Sequence, residues 1–354
     1  MRSILSRTVL SSLIFRGNRA FIAYGSLYVQ SKKATNSLLN RVGRAVPQSP
    51  KGVAFVRLGA LRRKSNRTAI LIAGVGRFGN SIAQVLNSVE LADALNAENI
   101  LFHRFDAIDN ATLPLGGGRH LRRVRFFPQR GMSAPHLIWR TYSITPEILF
   151  CEPWKESMST ARDSLKRATN MEFRDPKWSD PSQLAVYVRG GDVFDPEPEE
   201  RYGQPPWVFY RRVLEHKKWK SINLVSEDSR NPVVDKILEW CEERGVEVSR
   251  HGDTLDQAFE VLKSSTHIVN AKGTFVPAIV FLTGGPKIVY NFGSEVSRFF
   301  QSDGISVYSV EDLDGSYTTS ILSANWSNTK EQQSLMLSYP QESVSPVTKV
   351  SKID

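Results

Sequence analysis

Between residues 184 and 290 short apolar runs alternate with longer amphipathic stretches, and this alternation restricts the fold more than any other feature of the 354-residue chain. The runs at 184–188, 222–225, 246–248, 266–269 and 288–290 are rich in Val and Ile and too short for stable helices, so they are expected as buried strands. Between them, 207–219, 233–244, 254–264 and 276–282 place apolar residues at helical spacing, as with Phe209, Val213 and Leu214. Strand and helix alternating at least four times predict a parallel α/β sheet with right-handed crossovers.

In such a sheet the carboxyl ends of the strands share one edge, and ligands bind there. Three of these ends carry polar groups: Arg189-Gly190-Gly191-Asp192, Ser226-Glu227-Asp228 and Lys272-Gly273-Thr274. Taken alone, the first is equally a strand, a turn and a surface ion pair between Arg189 and Asp192. Three sets converging on one edge is what that plainer reading does not anticipate. Arg189 is placed to grip an anion.

The first half begins with a buried-strand run at 68–73, followed by Gly74-Val75-Gly76-Arg77-Phe78-Gly79-Asn80 and an apolar helical pattern through Ile82, Val85, Leu86 and Val89. Gly74, Gly76 and Gly79 fit G-x-G-x-x-G, whose glycines allow a tight turn and close approach of a phosphate to a helix start. Asp106, after the next strand, stands at a workable distance for a ribose ligand, so an NAD(P)-dependent Rossmann oxidoreductase is one reading and a structural glycine turn another. Further on, Gly116 to Gly118 form a loop, 121–127 an edge strand, 147–150 another strand, 161–171 a helix and 175–181 a linker. The expected organisation is an extension at 1–67, a Rossmann-like domain at 68–180, a second at 181–315, and a polar, poorly ordered tail at 316–354.

Charge separates the extension from the body. Residues 1–89 hold 15 of the 46 Lys+Arg and no acidic residue, leaving 31 against 36 Asp+Glu, a net of −5. A mildly acidic body argues against a nucleic-acid partner, which would require a basic face on the fold itself. The extension is Arg- and Ser-rich with apolar residues interspersed, as expected of a transit peptide for mitochondrion or plastid. A poor signal anchor with a Golgi location, an extension from a misassigned start, and a basic tail on a cytoplasmic protein are the alternatives. Its charge-free runs, 8–15 and 20–31, fall short of the ~20 residues needed to span a bilayer, so any membrane association is confined to this segment. Cys151 and Cys241 are too few for a disulfide framework or a metal site.

The ordered set Gly76-Arg77-Phe78-Gly79-Asn80, Tyr187-Val188-Arg189-Gly190-Gly191-Asp192, Ser226-Glu227-Asp228 and Lys272-Gly273-Thr274-Phe275 resembles the α-1,2-fucosyltransferases. Their pattern runs G-R-L-G-N, H-x-R-R-G-D, a strand ending S-D-D, and N-S-T-F before a helix. The resemblance covers residues 70–290. It implies a GT-B fold, two Rossmann-like domains facing across a cleft, with metal-independent inverting transfer to a glycan acceptor from GDP-fucose held mainly by the second domain. Carried over by position, Arg189 matches the arginine on the donor diphosphate and Gly191 allows backbone approach. Asp192 orients Arg189 or a loop amide, and Ser226, Asp228, Lys272, Gly273 and Thr274 complete the donor side. Arg77 and Asn80 close over the donor from the first domain. This chain departs from the pattern at Tyr187 for histidine, Gly190 for the second arginine, Lys272 for asparagine, Gly273 for serine, and Val276-Pro277 for an aromatic pair. These departures preserve a nucleotide-sugar donor better than they preserve fucose, and they leave open a non-catalytic member that binds glycan or nucleotide.

The general base is not assigned by the sequence: Asp192, Asp195 and Glu197 are candidates, the last two equally members of a solvated acidic loop. The six histidines are scattered. The D-x-D of Asp312 and Asp314 lies beyond the expected core, and no metal or other cofactor is anticipated.

Overall fold

The computed structural model describes residues 55–57, 68–72, 77–94, 97–102, 112–116, 118–123, 135–138 and 155–169. From 177 it describes the chain through to 350, apart from 199, 294–297, 301–303 and 324. The chain divides into two compact units, 1–172 and 173–354.

Unit 1 contains β1 (Phe55–Arg57), β2 (Thr68–Ile72), α1 (Phe78–Ala94), β3 (Ala97–Phe102), β4 (Thr112–Gly116), β5 (Arg119–Arg123), β6 (Pro135–Ile138) and α2 (Lys155–Ala168). Its sheet runs β1-β6-β2-β3-β5-β4. The four inner strands are parallel, and β1 and β4 pair antiparallel at the two edges. The helical spacing after the glycine loop is realised in α1, where Ile82, Val85, Leu86 and Val89 are at most 2% exposed. One expectation needs correction, because β5 is not an edge strand. The edge is β4, where Leu113 and Leu115 are buried while Thr112 and Pro114, alternating with them, are exposed, the pattern of a half-buried strand, and the proline sits where an edge tolerates it. A turn at Gly118, with φ +75°, returns this outer strand into β5. Gly74, Gly76, Asp106 and the strand expected at 147–150 lie outside the described residues.

Unit 2 is built from β7 (Gln183–Tyr187), α3 (Trp207–His216), β8 (Ser221–Val225), α4 (Val233–Arg244), β9 (Glu247–His251), α5 (Leu255–Ser264), β10 (His267–Val269), α6 (Phe275–Thr283), β11 (Lys287–Phe292), β12 (Ile305–Val310), α7 (Lys330–Ser338) and β13 (Thr348–Lys349). The strand order is β13-β12-β11-β10-β7-β8-β9, parallel from β9 to β12 and antiparallel only at β13. The protein is therefore α/β with two largely parallel, Rossmann-like sheets, as its alternation predicts. From β7 the chain steps outward through β8 to β9, then returns to β10 on the other side of β7. The order reverses between β7 and β10, which is where an open α/β sheet forms its crevice. Among the described residues no helix is long and apolar enough to cross a membrane.

The opposite edge of this sheet is closed. Lys287, 1% exposed at the start of β11, donates to the carbonyls of Leu262, Lys263 and Ser265 at 3.2, 2.9 and 2.7 Å, satisfying the end of α5. Its ammonium lies 4.6 Å from the Trp178 ring centroid, so residues read as a linker are packed against the sheet.

The expectation of a polar, poorly ordered tail from 316 is overturned. Tyr317, Ile321, Trp326 and Met336 are fully buried against unit 2, and β13 pairs with β12. Few apolar residues mark this stretch, but the large ones are spaced to reach the core. A capping box, Thr329 with Gln332, starts α7.

Candidate functional site

Tyr187 ends β7 with its side chain buried and its ring 5.6 Å from that of Phe275, a packing contact across to α6. The chain then turns through Arg189, Gly190 and Gly191 into a short 3-10 helix (Gly191–Phe194). Arg189 is held on three sides. Its Nη2 is 3.3 Å from Asp192 Oδ1, its guanidinium lies 4.2 Å from the Tyr202 ring centroid, and Gly273 lies against Nη1, where a Cβ would come to 3.0 Å. Only 14% of the side chain is exposed, so the guanidinium is preorganised for a planar anion.

The two glycines are required by the neighbouring strand. A Cβ on Gly190 would overlap the Asp228 carboxylate, and one on Gly191, already at φ +67°, would overlap that of Glu227. In their place Asp228 Oδ2 accepts from the Gly191 amide at 3.2 Å. Arg230 donates to the same carboxylate through its backbone amide, 3.1 Å, and its Nε, 2.7 Å, and reaches Asp195 through Nη1 at 2.5 Å. Burial pushes the Asp228 carboxyl up, but the hydrogen bonds and charge of Arg230 with the Gly191 amide together hold it below its usual value. Asn231, fully buried, donates to the Arg189 carbonyl at 3.0 Å. The ends of β7 and β8 are thus one hydrogen-bonded body.

Across the switch point, β10 continues through Lys272 and Gly273, at φ +147°, to Thr274, the residue before α6. The first turn of α6 presents the Phe275 and Val276 amides, while Pro277 has none to offer; amides in such a turn bind anions. The structure brings together Arg189, Gly191, Asp192, Asp228 and Gly273, with Thr274 next in chain. Ser226 and Lys272 hold the turns: the Ser226 hydroxyl donates to the Asp228 carbonyl at 2.7 Å and the Lys272 ammonium to the Leu322 carbonyl at 2.7 Å. Arg77 and Asn80 belong to unit 1. Arg77 is exposed just before α1, its carbonyl accepting from the Ser81 amide at 3.0 Å, and Asn80 is half-buried in the first turn.

Three parts of the site escaped sequence reasoning. Tyr202 sits in a proline-rich loop, and its partner is thirteen positions away, beyond any local pattern. Arg230 and Asn231 directly follow the S-E-D strand end, a position that could have drawn notice. The third part is the C-terminal segment. Trp326 Nε1 donates to the Val193 carbonyl at 2.6 Å, Asn328 to that of Phe194 at 2.8 Å, and Tyr317 to that of Gln204 at 2.7 Å. Tyr317, Trp326 and Asn328 therefore clamp the loop that carries Asp192 and Tyr202.

Among the carboxylates considered for proton transfer, Asp192 is paired with Arg189, Asp195 with Arg230, and Glu197 is exposed. Asp312 and Asp314 accept from the Tyr339 hydroxyl at 2.6 and 3.0 Å and from the backbone amides of Thr318 and Ser316. That gives the D-x-D a structural role.

No protein-family model and no curated protein matches the sequence. Among solved structures the chain is similar to POFUT1 in complex with GDP, at 12% identity over 64% of this chain and 98% of that one, with a TM-score of 0.35. It is also similar to the E. coli heptosyltransferase WaaC with ADP-2-deoxy-2-fluoro heptose, at 11% identity, 68% and 92% coverage and a TM-score of 0.30. The E. coli ADP-heptose lps heptosyltransferase II gives 11% identity, 68% and 89% coverage and a TM-score of 0.31. TM-scores at this level identify neither a fold family nor an activity.

Proposed function

We propose that the chain is a metal-independent glycosyltransferase of GT-B type that transfers a sugar, fucose or a close relative, from a nucleoside-diphosphate donor to a glycan hydroxyl. The observation that carries this reading is Arg189. It stands at the switch point of a parallel sheet, stacked on Tyr202 and lying against Gly273, two residues before the helix start of α6.

In this reading the donor diphosphate lies over the Gly190-Gly191 turn, between the Arg189 guanidinium and the first amides of α6. As the acceptor hydroxyl attacks the anomeric carbon, the bond from that carbon to the diphosphate oxygen breaks and negative charge grows on the leaving group. Arg189 and the helix amides stabilise that charge, the task a divalent cation performs elsewhere. The acceptor proton passes to a carboxylate, for which Asp192 on the turn is the candidate.

The test is release of nucleoside diphosphate from a panel of GDP-, ADP- and UDP-sugars, GDP-fucose first, with a galactose-terminated acceptor and with or without chelator. Turnover that survives the chelator and falls at least 100-fold in Arg189→Ala supports the reading. No release from any donor in the panel sinks it.

A further inference from the structure

We propose that Arg230 is a second anion-binding guanidinium of this site and that Asp195 is its exchangeable counter-ion. The proposal rests on the reading of unit 2 as a nucleoside-diphosphate site and names a further residue pair within it.

Two guanidinium groups emerge at neighbouring strand ends, Arg189 after β7 and Arg230 after β8, and the buried Asn231 joins the second turn to the first through the Arg189 carbonyl. Each is met by a carboxylate of the same short loop, Asp192 for Arg189 and Asp195 for Arg230. No side chain rises from the glycines between them, because the space their Cβ atoms would take is filled by the carboxylates of Asp228 and Glu227. The floor of this region is backbone, with a guanidinium on either strand end.

Charge then sets a condition. Arg189 pairs with Asp192, and Arg230 with both Asp195 and Asp228, so the two guanidinium groups are met by three carboxylates. A diphosphate entering this region needs a carboxylate to leave, and the structure distinguishes the one that stays. Asp228 is anchored by the Gly191 amide and by both the backbone and Nε of Arg230, and its side chain is 31% exposed. Asp195 meets Arg230 only at Nη1, from a side chain 50% exposed on the loop. Asp228 fixes the direction in which the guanidinium points, and Asp195 occupies the edge a phosphate oxygen would take. Exchange of carboxylate for phosphate at a preoriented arginine needs only a loop side-chain rotation, with no rebuilding of the turn.

The experiment is calorimetric titration of wild type, Arg230→Gln, Asp195→Asn and Arg189→Ala with whichever of GDP, ADP and UDP the wild type holds most tightly, and with its own monophosphate. Arg230→Gln is expected to weaken the diphosphate about tenfold and the monophosphate less, lowering the ratio of the two affinities. Asp195→Asn, which removes a surface carboxylate and leaves the fold intact, is expected to tighten the diphosphate several-fold. If Arg189→Ala loses the diphosphate while Arg230→Gln keeps wild-type affinity, the second guanidinium is wrong and the site reading stands. If Asp195→Asn weakens binding as Arg230→Gln does, Asp195 is a positioning residue and the exchange is wrong. If wild type holds none of the three diphosphates, both readings fall together.

Discussion

The space at residue 190 is contested by two side chains, and glycine lets Asp228 have it. Gly190→Ala puts a methyl group onto the Asp228 carboxylate, so that carboxylate must leave the Gly191 amide and take Arg230 with it. This variant is expected to lose at least tenfold in affinity for the nucleoside diphosphate that wild type prefers, read by titration, with unfolding by urea shifted modestly. Away from the site, His267 sits 6% exposed between the Tyr290 hydroxyl on Nδ1 and the Lys217 ammonium on Nε2, both at 3.1 Å. Burial, with the charges of Lys217 and His216, lowers its pKa to about 4. A histidine depressed in the fold binds its proton first in the unfolded chain, so stability is full above about 6.5 and falls as pH drops from there to about 4. The loss is on the order of 3 kcal/mol. Urea unfolding at pH 7 and pH 4.5 checks this: wild type is expected to lose stability between them, and His267→Gln about 2 kcal/mol less, on the same linkage.

At the scale of elements, the loop after β7 is only as well placed as the C-terminal segment that holds it. Trp326 is fully buried, its ring 5.5 Å from Phe194 and its indole N–H on the Val193 carbonyl. Trp326→Ala is expected to cost about 3–5 kcal/mol in urea unfolding, a cavity plus an orphaned carbonyl. The same variant should weaken nucleotide binding, although Trp326 has no place in the binding groups. The strands β7 to β11 and the helices between them were legible because each strand is a short apolar run and each helix keeps its spacing; the parallel strand β12 was not anticipated. The C-terminal segment was not legible, because its buried anchors, Tyr317, Ile321, Trp326, Met336, Tyr339 and Val344, are scattered among Ser, Thr and Gln, whose polar side chains make turn and cap bonds invisible to hydrophobic periodicity. The strand β4 was missed for a related reason, since Pro114 breaks a run whose alternate leucines are the buried face.

For the whole molecule, the sequence carried the α/β class and the shared edge of the three strand ends, because parallel topology follows from alternation. It could not carry the strand order, and the order decides the site. Had β10 been added beyond β9, Gly273 and Thr274 would lie two strands further from Arg189. Because β10 returns to the free side of β7, they flank the same crevice. The departures from the fucosyltransferase pattern acquire physical meaning at the same point: Tyr187 packs on Phe275, Gly190 admits Asp228, and Lys272 ties the third turn to residue 322. Each substitution supports the turn geometry while leaving Arg189 aimed at the edge.

The most direct measurement is a crystal structure of the full chain with the nucleoside diphosphate it binds most tightly. The diphosphate is expected at the β7–β10 switch point, with Arg189 within hydrogen-bond distance of its oxygens and the first amides of α6 directed at it. A diphosphate bound elsewhere on unit 2, or bound in unit 1 after β2 with Arg189 still paired to Asp192, would contradict it.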